Sequence, residues 1–80
     1  MSKKLFVTNL SYSTTKEEFS DLFGPYGEIS FIRLILDDNG KARGFGFVEF
    51  VNDEDALNAI HDINDKFIRN RKIRVKESNR

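Results

Sequence analysis

The sequence predicts an α+β fold: one four-stranded antiparallel sheet with two helices on one of its faces. Three observations predict it. Four β-prone stretches alternate inward and outward residues, two intervening stretches carry apolar residues at helical spacing behind capping signals, and their order is strand, helix, strand, strand, helix, strand. Within the third strand stretch, Arg43 to Phe50, a period of two puts Gly44, Gly46, Val48 and Phe50 on one face and Arg43, Phe45, Phe47 and Glu49 on the other. The first set suits packing under helices. The second leaves two rings and a guanidinium facing water.

The chain opens on Lys4-Leu5-Phe6-Val7-Thr8, a strand with Leu5 and Val7 inward and Phe6 and Thr8 outward, closed by Asn9 and Leu10. Thr14-Thr15-Lys16-Glu17 reads as a capping box between Thr14 and Glu17. The helix behind it is expected over about 15–23, burying Phe19, Leu22 and Phe23 and stopping at Gly24-Pro25. Gly27 turns the chain into a second strand, Ile29 to Leu36. Its expected register points Ile32, Leu34 and Leu36 inward and leaves Phe31, Arg33 and Ile35 outward, with a bulge near Ser30 as the feature able to shift it. Asp37-Asp38-Asn39-Gly40 then makes a turn, so the second and third strands form a hairpin.

Asn52 supplies a cap, and Asp53, Glu54 and Asp55 complement the dipole of a second helix reaching about Ile63. Its buried stripe is Ala56, Ala59, Ile60 and Ile63, with Leu57 on the flank. Asn64-Asp65 and Arg69-Asn70, which contain types tolerant of left-handed backbone, bracket a short connection to the last strand, Lys72 to Lys76, with Ile73 and Val75 inward. Two right-handed β-α-β crossovers in this order give the ferredoxin-like, split β-α-β arrangement. One domain over residues 1–80, with its core over about 4–76, is expected, and the other sheet face is bare.

Eighty residues support a single small core. The absence of Cys removes disulfides, thiolate catalysis and Cys-ligated zinc, and the lone His61 has no second His or Cys with which to hold a metal. No signal-like or membrane-spanning apolar run is present, so an intracellular soluble domain is expected, in nucleus or cytoplasm.

The bare face collects Phe6, Phe45 and Phe47, with Phe31 and Ile35 beside them, ringed by Lys4, Arg33, Arg43, Lys72, Arg74 and Lys76. Exposed rings offer unstacked bases a π-face, and Lys and Arg hold phosphates. A zero formal net charge argues against a nucleic-acid partner only until the charges are placed. Seven of the 13 acids (Glu17, Glu18, Asp21, Asp53, Glu54, Asp55 and Asp62) fall on the two expected helices, against one base there, Lys16. The cations lie mainly on the strands, hairpin rim and C-terminal segment. Glu49 is the one acid within the patch.

These residues resemble the RNA recognition motif family. Arg43-Gly44-Phe45-Gly46-Phe47-Val48-Glu49-Phe50 is similar at every position to its eight-residue motif, basic, Gly, aromatic, Gly or Ala, aromatic, aliphatic, any, aromatic; Leu5 to Leu10 resembles its six-residue partner. Phe19, Phe23, Gly27, Ala56, Ile60, Arg71, Ile73 and Val75 extend the resemblance over essentially the whole chain. It implies a non-catalytic, cofactor-free domain that binds single-stranded RNA, or single-stranded DNA, as a monomer, and a place in nuclear ribonucleoprotein and RNA-processing work. It also implies that Phe6 and one of Phe45 and Phe47 stack on bases while the remaining ring sits between sugars. Arg43 matches a phosphate-contacting position, and Asn9 either touches a base or closes its turn. Asp65 and Asn70 stand where the family often has Gly, which implies strained turns.

The rival reading is a protein-interaction module working through the helical face. Peptide-gripping relatives tend to lose the rings and gain Arg-x-Phe near the last loop; here Asp65-Lys66-Phe67 lacks that Arg and the rings remain. Gly44-Phe45-Gly46 lacks the third Gly of a dinucleotide fingerprint, and no phosphate-cradling loop with a positioned Arg suggests an acylphosphatase-like enzyme.

Overall fold

The computed structural model describes residues 3–78. Its elements are β1 (Lys3–Thr8), α1 (Lys16–Phe23), a 3-10 turn (Gly24–Tyr26), β2 (Ile29–Leu36), β3 (Ala42–Phe50), α2 (Asp53–Ile63), β4 (Phe67–Ile68), β5 (Arg71–Lys72) and β6 (Arg74–Ser78). The main sheet has the order β2-β3-β1-β6, every neighbouring pair antiparallel. The ferredoxin-like expectation holds. No helix among the described residues is long and apolar enough to cross a membrane.

One cluster forms the core. Leu5, Val7, Val48, Phe50 and Val75 from the strands, with Ile73 between β5 and β6, meet Phe19, Phe23, Ala56, Ala59 and Ile63 from the two helices. Phe23 sits at the junction, edge-on to Phe19 at 5.5 Å and to Phe50 at 6.5 Å. Full burial of such a ring contributes about 1.5–3 kcal/mol, so these three carry much of a small core. Ile60 is half-buried against the cluster and Leu57 is exposed, as a flank residue should be.

Local chemistry moved several expectations. The capping box of α1 lies one residue later than Thr14 and Glu17. The Thr15 hydroxyl accepts from the Glu18 backbone N–H at 3.1 Å, and the Glu18 carboxylate accepts from the Thr15 N–H at 3.2 Å. Both frames fit the sequence pattern; in this one the Glu18 carboxylate also accepts from Arg69 Nε, at 3.0 Å, in the β4–β5 connection. Asn52 occupies the cap position of α2 without capping through its side chain, which instead donates to the Asp55 carboxylate at 3.4 Å.

Leu36 is 48 % exposed rather than inward. Leu34 opposes Gly46, but Leu36 opposes Ala42 where regular pairing would use Gly44, so β3 bulges and carries Leu36 past the helical layer. Gly44 takes a φ of 95° there, open to glycine at little cost. The bulge anticipated near Ser30 is present as well, between Ile29 and Phe31.

The final strand is split. Asn9, with a φ of 64°, turns β1 away after Thr8, leaving β6 no partner beyond Arg74. Ile73 therefore bonds elsewhere: its N–H donates to the Lys66 carbonyl at 2.8 Å and its carbonyl accepts from the Asp65 N–H at 2.7 Å. Lys72, expected on the last strand, belongs to a two-stranded ribbon in which it faces Phe67. Asp65 (φ 68°), Arg69 (φ 54°) and Asn70 (φ 64°) take the left-handed backbone expected of this connection, while Asn64 does not.

The Glu18 ties make a pH prediction. The Arg69 guanidinium first, and the Thr15 amide second, hold the Glu18 carboxyl below the usual carboxylate range. A carboxyl whose folded pKa is depressed stabilises fully above its unfolded value of about 4.3 and loses that contribution as pH falls through the folded value. Asp37, held low by the Lys41 amide first and the Asn39 amide also, acts with the same sign. Urea midpoints measured from pH 7 down to pH 3 should fall less steeply in Arg69→Ala than in the parent chain; identical slopes would deny the pairing.

Candidate nucleic-acid interface

Register across the sheet sets the site. Arg33 opposes Phe47, Phe47 opposes Phe6, and Phe6 opposes Lys76, so one line across all four strands reads cation, ring, ring, cation. The next line carries Phe45, Thr8 and Arg74, and the line on the other side carries Phe31, Glu49, Lys4 and Ser78. The period of two puts all three lines on the face away from the helices.

Phe6 is the hub. Its ring stacks on Phe47 at 5.0 Å with the planes 28° apart, and meets Phe45 edge-on at 5.9 Å and 67°. All three rings are half-buried, supported below by the sheet and open above. A shallow hollow of about 350 Å³ lies beside them, lined by Phe6, Phe47, Lys76, Glu77 and Ser78. Phe31 is 42 % exposed, and the Lys4 ammonium lies 5.4 Å from its ring centre. A cation over a ring extends the apolar surface while keeping a charge available above it.

The expected basic residues divide. Lys4, Arg33, Arg74 and Lys76 lie on the lines that hold the rings, and Arg74 pairs with Asp65 at 3.2 Å where both are solvated. Arg43 is exposed near the end of the β2–β3 hairpin, in a hollow it shares with Tyr12, Asp37 and Lys41. Lys72 stands apart on the ribbon.

Asn9 is committed within the protein. Its side-chain amide donates to the Lys72 carbonyl at 2.8 Å and accepts from the Arg71 guanidinium at 2.8 Å, while its own carbonyl accepts from Arg71 Nε at 3.2 Å. It clips the end of β1 to the ribbon. Glu49 accepts from the Ser30 hydroxyl at 3.1 Å across the β2 bulge, which anchors the acid at the rim of the ring cluster.

The glycines of β3 divide also. A Cβ on Gly46 would lie 2.7 Å from the Arg33 carbonyl and 2.8 Å from the Phe19 ring, so only glycine admits helix α1 this close, as expected. Gly44 serves a different end. Its neighbours are the Leu10 carbonyl and the Tyr12 ring, from the β1–α1 loop and not from a helix.

Tyr12 and Arg71 did not emerge as a pair from the sequence. The Arg71 guanidinium lies 5.7 Å from the centre of the Tyr12 ring. They sit in an aperiodic loop and a two-residue strand, so no alternation marks them.

Comparison with known proteins agrees with this geometry. Residues 5–74 match the family described as RNA recognition motif. The chain is 42 % identical over 71 residues to a polyadenylate-binding protein, cytoplasmic and nuclear, of Chaetomium globosum; the match covers 89 % of this chain and 9 % of that relative's length. Among solved structures, RNA binding protein PG1 superposes with a TM-score of 0.89 at 37 % identity, covering 98 % of this chain and 95 % of that one. The Sex-lethal protein/RNA complex gives a TM-score of 0.87 at 29 % identity, covering 94 % of this chain and 47 % of its counterpart.

Proposed function

The chain belongs to the RNA recognition motif family, and from that premise we propose that it is a non-catalytic domain binding single-stranded RNA across its open sheet face. The observation that carries this is the line Arg33, Phe47, Phe6, Lys76. Two stacked rings flanked by cations suit two unstacked bases with backbone phosphates beside them, and each stacked base contributes about 1–3 kcal/mol. Phe45 meets Phe6 edge-on and serves the sugar or the next base. Lys4, Arg33, Arg74 and Lys76 neutralise phosphates along the face, and Arg43 does so at the hairpin end. Lys72 contributes charge from the ribbon, and Asn9 acts by holding the turn. Single-stranded DNA presents the same bases and phosphates and is a second ligand in this reading. The named relative is cytoplasmic and nuclear, and either compartment, with a role in RNA processing, fits the proposal.

An NMR titration with random short RNAs tests it. Shifts concentrated on Phe6, Phe45 and Phe47 support binding on the sheet; shifts confined to α1 and α2 would instead favour a protein-interaction module using the helical face.

The charges make a separate prediction. Each phosphate neutralised on a single strand lowers the slope of log affinity against log salt by about 0.7. Arg43→Ala should make that slope shallower by roughly this amount while leaving the fold intact. A slope indifferent to the substitution would remove Arg43 from the phosphate path.

A further inference from the structure

Resting on the stacking reading above, we propose that Glu49 makes the sheet face selective for guanine. A guanine stacked on Phe47 gives its N1–H and N2–H to the Glu49 carboxylate, and the Lys4 ammonium donates to its O6.

An acid is out of place on a face that neutralises phosphates, since it repels them. Among the residues of the three lines across the sheet Glu49 is the one acid, half-buried, with Lys4 opposite it on β1 and Phe31 on β2. Opposite charges facing each other across two strands are close enough to pair. Here they do not: among the described residues Glu49 forms no ion pair. The Lys4 ammonium is turned to the Phe31 ring, 5.4 Å from its centre, and Glu49 Oε1 accepts from the Ser30 hydroxyl at 3.1 Å. The same hydroxyl lies 3.3 Å from the Glu49 backbone carbonyl, so the side chain is tied down beside its own strand. An acceptor and a donor thus stand next to each other, neither consumed by the other.

Their position suits a base on Phe47. That ring precedes Glu49 by two residues on the same face, about 7 Å along the strand, so a base lying on it turns one edge to the carboxylate. A side chain ordered before its ligand arrives loses little freedom on binding.

The carboxylate accepts only, and with Ser30 on Oε1 its other oxygen and remaining lone pairs face the base. Bases splayed on a sheet are read on their Watson–Crick edges. Guanine alone among the four carries two adjacent donors there, N1–H and N2–H, with the O6 acceptor beside them. Adenine and cytosine each set one amino group beside a ring-nitrogen acceptor, which the carboxylate repels. Uracil is worst matched, because its single N3–H lies between two carbonyl oxygens. Lys4 completes the match at O6, and its three donors leave room for a phosphate as well.

The test measures fluorescence anisotropy with all-uridine hexanucleotide and with hexanucleotides carrying one central guanosine, inosine, adenosine or cytidine. The parent chain should bind the guanosine RNA about tenfold tighter than the uridine RNA, with inosine, which lacks the N2 amino group, in between. In Glu49→Gln the amide keeps an oxygen for Ser30 and turns a donor toward the base, so guanosine and uridine RNAs should bind about equally. Removing an anion also tightens every RNA together, which is why the ratio is the readout. No guanosine preference in the parent, an undiminished preference in Glu49→Gln, or inosine equal to guanosine overturns the proposal. The inosine comparison uses only the parent chain, so it tests the edge contact independently of how Glu49→Gln folds. Phe47→Ala reports separately on stacking: weaker binding of all five RNAs upholds that reading whatever Glu49 does, and indifference to the substitution refutes it.

Discussion

Replacing Phe6 with Ala should weaken short-RNA binding by about 1–3 kcal/mol, roughly 5- to 150-fold, with Phe47→Ala close behind. Phe6 leads because its ring touches both others, at 5.0 and 5.9 Å, so removing it takes away one stacking surface and the lateral support of two more. That contact makes a sharper prediction than either single loss. The double variant should lose less than the sum of the two, because neighbours in contact couple by about 0.5–3 kcal/mol. Fluorescence titration of the four-member cycle measures it. Strict additivity would mean that the rings work as independent positions, and unchanged affinity in folded single variants would end the stacking proposal.

Why the ring cluster was legible in the sequence, and its surroundings less so, follows from what strand alternation does and does not encode. A period of two fixes which side of a sheet a residue takes, so alternation alone sorts Phe6, Phe45 and Phe47 from the inward Val48 and Phe50. The pairing that sets Phe47 between Arg33 and Phe6 depends on strand order and register, which come from the structure. Alternation fails at a bulge. Leu36 counts as buried only while β3 is taken as regular; the irregularity between Leu34 and Leu36 pairs it with Ala42 and leaves it exposed. Lys72 was misplaced for a related reason: Asn9 ends β1 early, so the chain at Ile73 pairs with Lys66 and Asp65 instead.

The capping box shows a different limit. Thr14 with Glu17 and Thr15 with Glu18 satisfy the same local pattern, which holds nothing to choose between them; the Glu18 that forms the box also bonds Arg69, about 50 residues away. Asn9 looked equally suited to a base or to a turn until Arg71 and the Lys72 carbonyl took up its amide. Tyr12 and Arg71 form their pair through the ribbon, which no periodic signal announced. What the sequence withheld was contact between loops, since loop contacts carry no period.

The largest effect on stability should come from Gly46→Ala, a change of one methyl group. The added Cβ would stand 2.7 Å from the Arg33 carbonyl and 2.8 Å from Phe19 Cζ. Neither neighbour yields easily: Arg33 is fixed in the β2–β3 ladder and Phe19 is 1 % exposed in the core. Overpacking of this kind typically costs about 1–3 kcal/mol, and for a domain of 60–100 residues each kcal/mol lowers Tm by roughly 4–8 °C. Gly24→Ala is the matched control, because its Cβ would meet nothing within 4 Å and its φ is −52°. It should be neutral or slightly stabilising, since Ala restricts the unfolded chain. Calorimetric melts of the two variants compare them directly, and equal Tm values would show that Phe19 can withdraw without cost. The function follows the same methyl group. Gly46 lies between Phe45 and Phe47, so a β3 strand pushed away from α1 carries both rings with it and shifts them against Phe6. Gly46→Ala protein that remains folded below its lowered Tm should therefore bind short RNA more weakly than Gly24→Ala, although no ring has been altered. Equal affinity in the two would separate the packing of α1 on the sheet from the geometry of the rings.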